Sequence, residues 1–285
     1  MPPPLIVGVD GSDASLAAAE WAGREAAATG RNLRLVHVRP EGLWILAGDE
    51  RAEEAELQAL HAMTGLAAEL RRVHPGLRVD IEPVTGPVDL MLLRSADADG
   101  GTLVLGTRGS GGFQALMLGS AAQSVAARSQ RPVVLVPSRA AAAEPGYRVV
   151  VGVDPGCDCR PVLDFGLGYA QDHGVVLRAV HAWQPPLLWG AGPVQPGEAE
   201  RRELERHHAV ALHDAVTAAH HRFPAAETTT AELAGDPAAV LVEEAEKASL
   251  LVVGRRRHRP VSALGPVVHA VLHHAPCPVA VVPHW

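Results

Sequence analysis

Residues 5–10 read LIVGVD, and residues 149–154 read VVVGVD, 144 positions later. The same spacing separates LRLVHV at 33–38 from LRAVHA at 177–182. TLVLGTRG at 102–109 returns as LLVVGRRR at 250–257, and RPVVLVP at 131–137 returns as CPVAVVP at 277–283. Four landmarks recur in one order, so the chain is a duplication, and whatever fold one half adopts the other must share. The copies are expected to span residues 1–138 and 147–285, joined by the Ala-rich SRAAAAEPGYR with its Pro-Gly pair.

Within a copy, short apolar runs alternate with helical patterns. Leu5–Val9 is followed by SDASLAAAEWAGREAAATG, with Ser12 and Asp13 as cap candidates and Gly30 as the stop. A strand at Leu33–Val38, a long helix over Asp49–Val73 and a strand LRVDIEPV come next. TGPVDLMLLRSADADG reads as a short helix, TLVLG as a strand, Ser120–Ser129 as a helix and VVLVP as the last strand. LIVGV, TLVLG and VVLVP are apolar throughout, as strands covered on both faces must be. The fold class is therefore α/β: two tandem five-stranded parallel-sheet domains with helices on both faces, Rossmann-like in kind.

Composition narrows the function. With 285 residues, 47% hydrophobic and 20% charged, both copies can bury a core. A net charge of −7 argues against non-specific binding to nucleic acid or an anionic membrane. MPPPLIVGVDGS lacks the charge and apolar core of a secretion signal, and no run of 18 apolar residues occurs, so a cytoplasmic protein is expected. Three cysteines, Cys157, Cys159 and Cys277, do not make a disulfide framework. Cys157 and Cys159 fall in the first turn of the second copy's first helix. A helix start would lower a thiol pKa, so redox sensitivity competes there with inert packing.

The stretch GTRGSGGFQALMLGS, Gly106 to Ser120, has five glycines in fifteen residues and links a buried strand to a helix. Flexible backbone there has an entropic cost, which suggests an anion approaching main-chain amides. Gly106 and Gly109 would let it come close, Arg108 could add a planar contact, and Ser120 could cap the helix or meet the anion itself. Lys247 is the chain's only lysine and no G-x-x-x-x-G-K-[ST] occurs, so a Walker loop is excluded. No G-x-G-x-x-G follows the first strand, which excludes the dinucleotide fingerprint as well.

The remaining spacing, Gly106-x2-Gly109-x9-Gly119-Ser120, together with VGVDGS and RPVVLVP, resembles the universal stress protein family. The resemblance covers nearly the whole chain, each half matching once, and implies an adenine-nucleotide α-hydrolase-like fold that binds ATP, with or without Mg2+. It places Gly8 and Asp10 beside the nucleotide and Val38 against the adenine. Gly106, Thr107, Arg108, Gly109, Ser110, Gly111 and Gly112 would wrap the ribose and phosphates, and Gly119, Ser120 and Ala121 would hold the phosphates. It further implies a role in stress response or dormancy, association through the last strand and a regulatory protein partner. In one chain, VVLVP and VAVVP could pair as an internal pseudo-dimer, and a homodimer is the other option.

The second copy departs from the pattern. It has Arg257 where the second glycine belongs, seven residues instead of nine before Gly265, and Pro266 in place of the serine. Arg255, Arg256, Arg257 and Arg259 could still draw an anion.

Several residues have plainer readings. Asp10 and Asp154 also read plainly as turn or cap carboxylates. His37 and His181 suit a sheet face better than catalysis, and Trp21 and Phe165 suit core packing. His207, His208, His213, His220 and His221 lack an i, i+4 pair and do not point to a metal. No catalytic residue is assigned, and hydrolysis is expected to be slow at most. Two other functions stay open. One is an ATP-using enzyme of the pyrophosphatase or adenylating type, for which GVDGSDAS is a partial likeness. The other is a ligand-free interaction module.

Overall fold

A computed structural model describes residues 2–39, 49–109, 118–138, 146–184, 188–189, 193–194, 197–257 and 264–285. The chain forms two compact units that part between residues 143 and 144. In the first, β1 (Leu5–Gly8), α1 (Asp13–Thr29), β2 (Leu33–Arg39), α2 (Asp49–Val73) and β3 (Val79–Thr85) run outward from the centre. The chain then returns through α3 (Val88–Asp99) to β4 (Thr102–Gly106), α4 (Ser120–Arg128) and β5 (Val133–Val136). The strands are parallel in the order β3-β2-β1-β4-β5. Leu5, Ile6, Val7, Leu103, Val104 and all of β5 are buried, as the apolar runs require.

Alternation along the strands sets the layers. A Cβ at Gly8 would lie 2.6 Å from Leu105 and 3.1 Å from Leu92 of α3. One at Gly106, next to Leu105 and so on the other face, would lie 2.5 Å from the Ala14 backbone of α1. Thus α1 and α3 cover opposite faces. Gly106 is a glycine because α1 passes too close for a side chain. That contact gives its bareness a packing reason, independent of any ligand.

Helix α1 begins as the sequence suggests: Ser12 Oγ accepts the Ser15 N–H, and Gly30, at φ 65°, closes the last turn. Helix α4 begins differently. Its cap is Gly119, with no side-chain bond, and Ser120 is already the first helical residue, so Ser120 is not the cap.

The second unit repeats the plan with β6 (Arg148–Gly152), α5 (Arg160–His173), β7 (Val176–Trp183), a two-residue hairpin β8 (Leu188–Trp189) and β9 (Pro193–Val194), and α6 (Glu198–His220). Then follow β10 (Thr228–Ala234), α7 (Pro237–Glu244), β11 (Ala248–Arg256), α8 (Pro266–His274) and β12 (Val279–His284). Its five parallel strands stand in the order β10-β7-β6-β11-β12, equivalent to the first. Trp21 of α1 is buried, as expected, whereas Phe165 of α5 is half-buried. Among the described residues no helix is long and apolar enough to cross a membrane.

Candidate functional site

A parallel sheet of this order has its switch point between β1 and β4, where successive connections leave in opposite directions and a crevice opens at the strand ends. Asp10 lies just beyond β1, and Thr107–Gly109 just beyond β4. Asp10 Oδ1 accepts the Ser12 N–H at 3.0 Å and lies 2.6 Å from Ser12 Oγ. Ser12 Oγ is also 3.3 Å from the Arg108 carbonyl, so one hydroxyl ties the first loop to the glycine loop. Ser12, noted in the sequence only as a cap, is therefore a part of the site.

A Cβ on Gly109 would fall 2.7 Å from Asp10 Oδ2, so the glycine lets the carboxylate lie against the loop backbone. Thr107 is buried, its N–H bonded to the Val136 carbonyl at 3.1 Å, while Arg108 is exposed. Gly119 donates its N–H to the Thr107 carbonyl at 2.7 Å. That bond closes the loop at its neck and corrects one expectation, because this amide is spent within the chain and not offered to a phosphate.

The α4 ladder opens with the Gln123 N–H bonding the Gly119 carbonyl at 2.9 Å. The N–H groups of Ser120, Ala121 and Ala122 precede it, at the positive end of the helix dipole. Ala122 was not named from the sequence; knowing that Gly119 is the cap would have found it. Gly119 itself has φ −70°, and among the described residues a Cβ there would meet nothing nearer than Gly109 N at 3.5 Å. Its backbone geometry does not call for glycine.

Val38, half-buried near the end of β2, pairs with Val84. Gly8 is filled around by Leu105 and Leu92, so its bareness also serves packing. Ser110, Gly111 and Gly112 lie outside the described residues, as does Arg259. His37 Nδ1 sits 2.8 Å from the Val9 carbonyl, and His181 Nδ1 sits 2.9 Å from the Val153 carbonyl. A matched bond in both copies gives these histidines a structural task, securing the chain just past the first strand.

In the second unit the aspartate equivalent to Asp10 is engaged from within. Asp154 Oδ1 accepts the Gly156 N–H at 3.0 Å, and its Oδ2 pairs with Arg256 at 3.0 Å. Strand β11 runs past Gly254 to Arg256, pairing Arg255 with Pro283 and Arg256 with His284. Arg255 is buried, and Arg257 places its guanidinium 4.9 Å over the Trp285 ring. These three arginines are engaged with their own fold and do not form an open anion trap.

Cys157 and Cys159 precede α5, which begins only at Arg160. Burial pushes both thiols up, with Asp154 adding to the rise at Cys157 and Cys157 to that at Cys159. Desolvation therefore works against the lowering that a helix start would bring.

A family model described as the universal stress protein family matches residues 1–137 and again 147–283. Universal stress protein Rv1996 of Mycobacterium tuberculosis is 30% identical over 304 residues, covering 97% of this chain and 94% of that protein. Universal stress protein Rv2005c of the same organism is 31% identical over 300 residues, covering 97% and 96%. Among solved structures, a universal stress protein from Archaeoglobus fulgidus superposes with a TM-score of 0.69 at 18% identity, covering 99% of this chain and 96% of that one. Matched in both halves and along its whole length, the chain belongs to the universal stress protein family.

Proposed function

We propose that the first unit binds ATP, with or without Mg2+, and that the protein acts as a nucleotide-linked regulator in stress response or dormancy. The observation that carries this reading is the start of α4. Three amides, those of Ser120, Ala121 and Ala122, precede the helical ladder beside Gly109. They follow a glycine, Gly119, whose backbone geometry would accept any residue and whose Cβ would meet no described atom closer than 3.5 Å. A bare residue at a helix start leaves room for a phosphate group to reach those donors.

Asp10 would repel a phosphate, so its place in this reading is at the nucleoside end, accepting from ribose hydroxyls or an amino group, or holding an accompanying cation. Val38 lies on the neighbouring strand β2 as an apolar wall for the base. Ser12 fixes Asp10 against the loop through the contacts already given. The chain's residues thus bind and orient. Asp10, the carboxylate of this crevice, is engaged by Ser12, so hydrolysis in this reading is slow and the protein is not an enzyme in its main role. Regulation would come from the loop differing between its filled and empty states, a difference that a regulatory protein partner reads.

Mass spectrometry of the purified, denatured chain tests the reading. Co-purifying ATP, or ATP binding by calorimetry with one equivalent per chain, supports it. A turnover product would favour an ATP-using enzyme, and absence of any binding would leave an interaction module.

A further inference from the structure

Only His37, His61 and His74 of the fifteen histidines precede residue 144; the other twelve belong to the second copy. Two of those twelve stand one helical turn apart. His269 and His273 lie on α8, at i and i+4, and so on one face. Their ring centroids are 4.5 Å apart, with planes inclined at 40°. His269 is exposed and His273 half-buried.

The first copy shows what this face replaces. Counted from the glycines that cap α4 and α8, Gln123 and Ala127 occupy the places of His269 and His273. Ser124 and Arg128 of α4 both bond Asp89 of α3, at 2.6 and 2.8 Å. Counted from Gly86 and Gly235, the place of Asp89 is taken by Ala238. The second copy has therefore lost the carboxylate clasp between these two helices and gained an imidazole pair.

Two imidazole nitrogens bound in adjacent positions of a tetragonal ion, at roughly 2.0–2.1 Å from the metal, put their ring centroids about 4.5 Å apart. The observed centroid separation meets that demand. We propose that His269 and His273 form a two-imidazole site for a tetragonal divalent transition-metal ion, Cu2+ above its neighbours, with water in the remaining positions. Among the described residues no group of three or more His, Cys, Asp or Glu is placed to share an ion, which fits an open, exchangeable site and not a structural one.

One further feature favours the ion. His273 is in the last turn of α8, where the helix carbonyls favour positive charge.

The test is a Cu2+ titration of the full chain at neutral pH against a weak competing chelator, with the electron paramagnetic resonance spectrum recorded at the first equivalent. The wild type should show nitrogen coupling from two imidazoles. His269→Ala, His273→Ala and the double variant should each weaken the tightest equivalent at least tenfold. His269→Gln, which copies the residue of the first unit, should do the same without disturbing the helix. His274→Ala, off the shared face, should leave the first equivalent unchanged. Unchanged affinity in the folded double variant, or loss of the site in His274→Ala alone, would overturn the proposal.

Discussion

The two copies end their central strands differently. In the first, β4 stops at Gly106, and Thr107 to Gly109 turn away beside Asp10. In the second, β11 continues for two more residues, and the aspartate that matches Asp10 is paired with Arg256. The matching glycine has become Arg257, stacked over Trp285. One crevice has kept bare backbone at the helix start, and the other has been filled with guanidinium groups and a proline at the first position of α8. The His37 and His181 bonds to the strand end persist in both. What both copies retain therefore belongs to the fold, and what only the first retains is the better candidate for ligand work.

The contrast can be broken at several points. The largest effect is expected from Gly106→Ala, since its Cβ meets α1 backbone at 2.5 Å and neither side can yield cheaply. A loss of about 3 kcal/mol is expected in chemical denaturation. Gly254→Ala meets only side chains, the His284 ring at 2.8 Å and Val162 at 3.1 Å, and should cost about 1 kcal/mol. Equal losses would show that α1 packing does not explain Gly106.

Next comes Gly119→Leu. Its backbone geometry accepts a side chain, so the melting temperature should hold while ATP affinity falls about a hundredfold, close to 2.7 kcal/mol. Wild-type affinity in that variant would remove the amide crook from the binding account.

Asp89→Ala should cost about 1 kcal/mol at neutral pH, a cost with no counterpart at Ala238. The Ser124 hydroxyl first, and then the Leu90 N–H and Arg128, hold the Asp89 carboxyl below its ordinary value. A lowered folded pKa means that the stabilisation is complete above the unfolded value of about 3.9 and disappears as pH falls through the folded one. The gap between wild type and variant should accordingly close in acid below about pH 4. A gap that stayed constant would assign the effect to packing.

The smallest effect is expected from Arg256→Gln. Both partners of its ion pair are more than half exposed, so stability should change by about 0.5 kcal/mol or less. The variant should gain no nucleotide site, because the loop remains two residues short. A second equivalent of ATP would show that Arg256 alone closes the crevice.

Much of this fold could be read from residues alone. The duplicated apolar runs located four strands of each sheet, but β10 (Thr228–Ala234) was not read, and Asp49–Val73 emerged with the bounds its pattern indicated. Local signals such as Ser12 and Gly30 also held. Illegible were the facts that need a partner distant in sequence. Gly106 is bare for Ala14, Gly109 for Asp10, and Asp154 meets Arg256 from 102 positions away. Spacing shows that a glycine is present but not which neighbour excludes its side chain. Nor does it show that α5 starts late enough for desolvation to control the two thiols before it.

The overrun of β11 bears on how a binding curve should look. If nucleotide binds in the first unit alone, as proposed, each polypeptide has a single seat for it, and a lone chain should saturate hyperbolically. Any sigmoid response would report communication between separate molecules, and diluting the sample should flatten it.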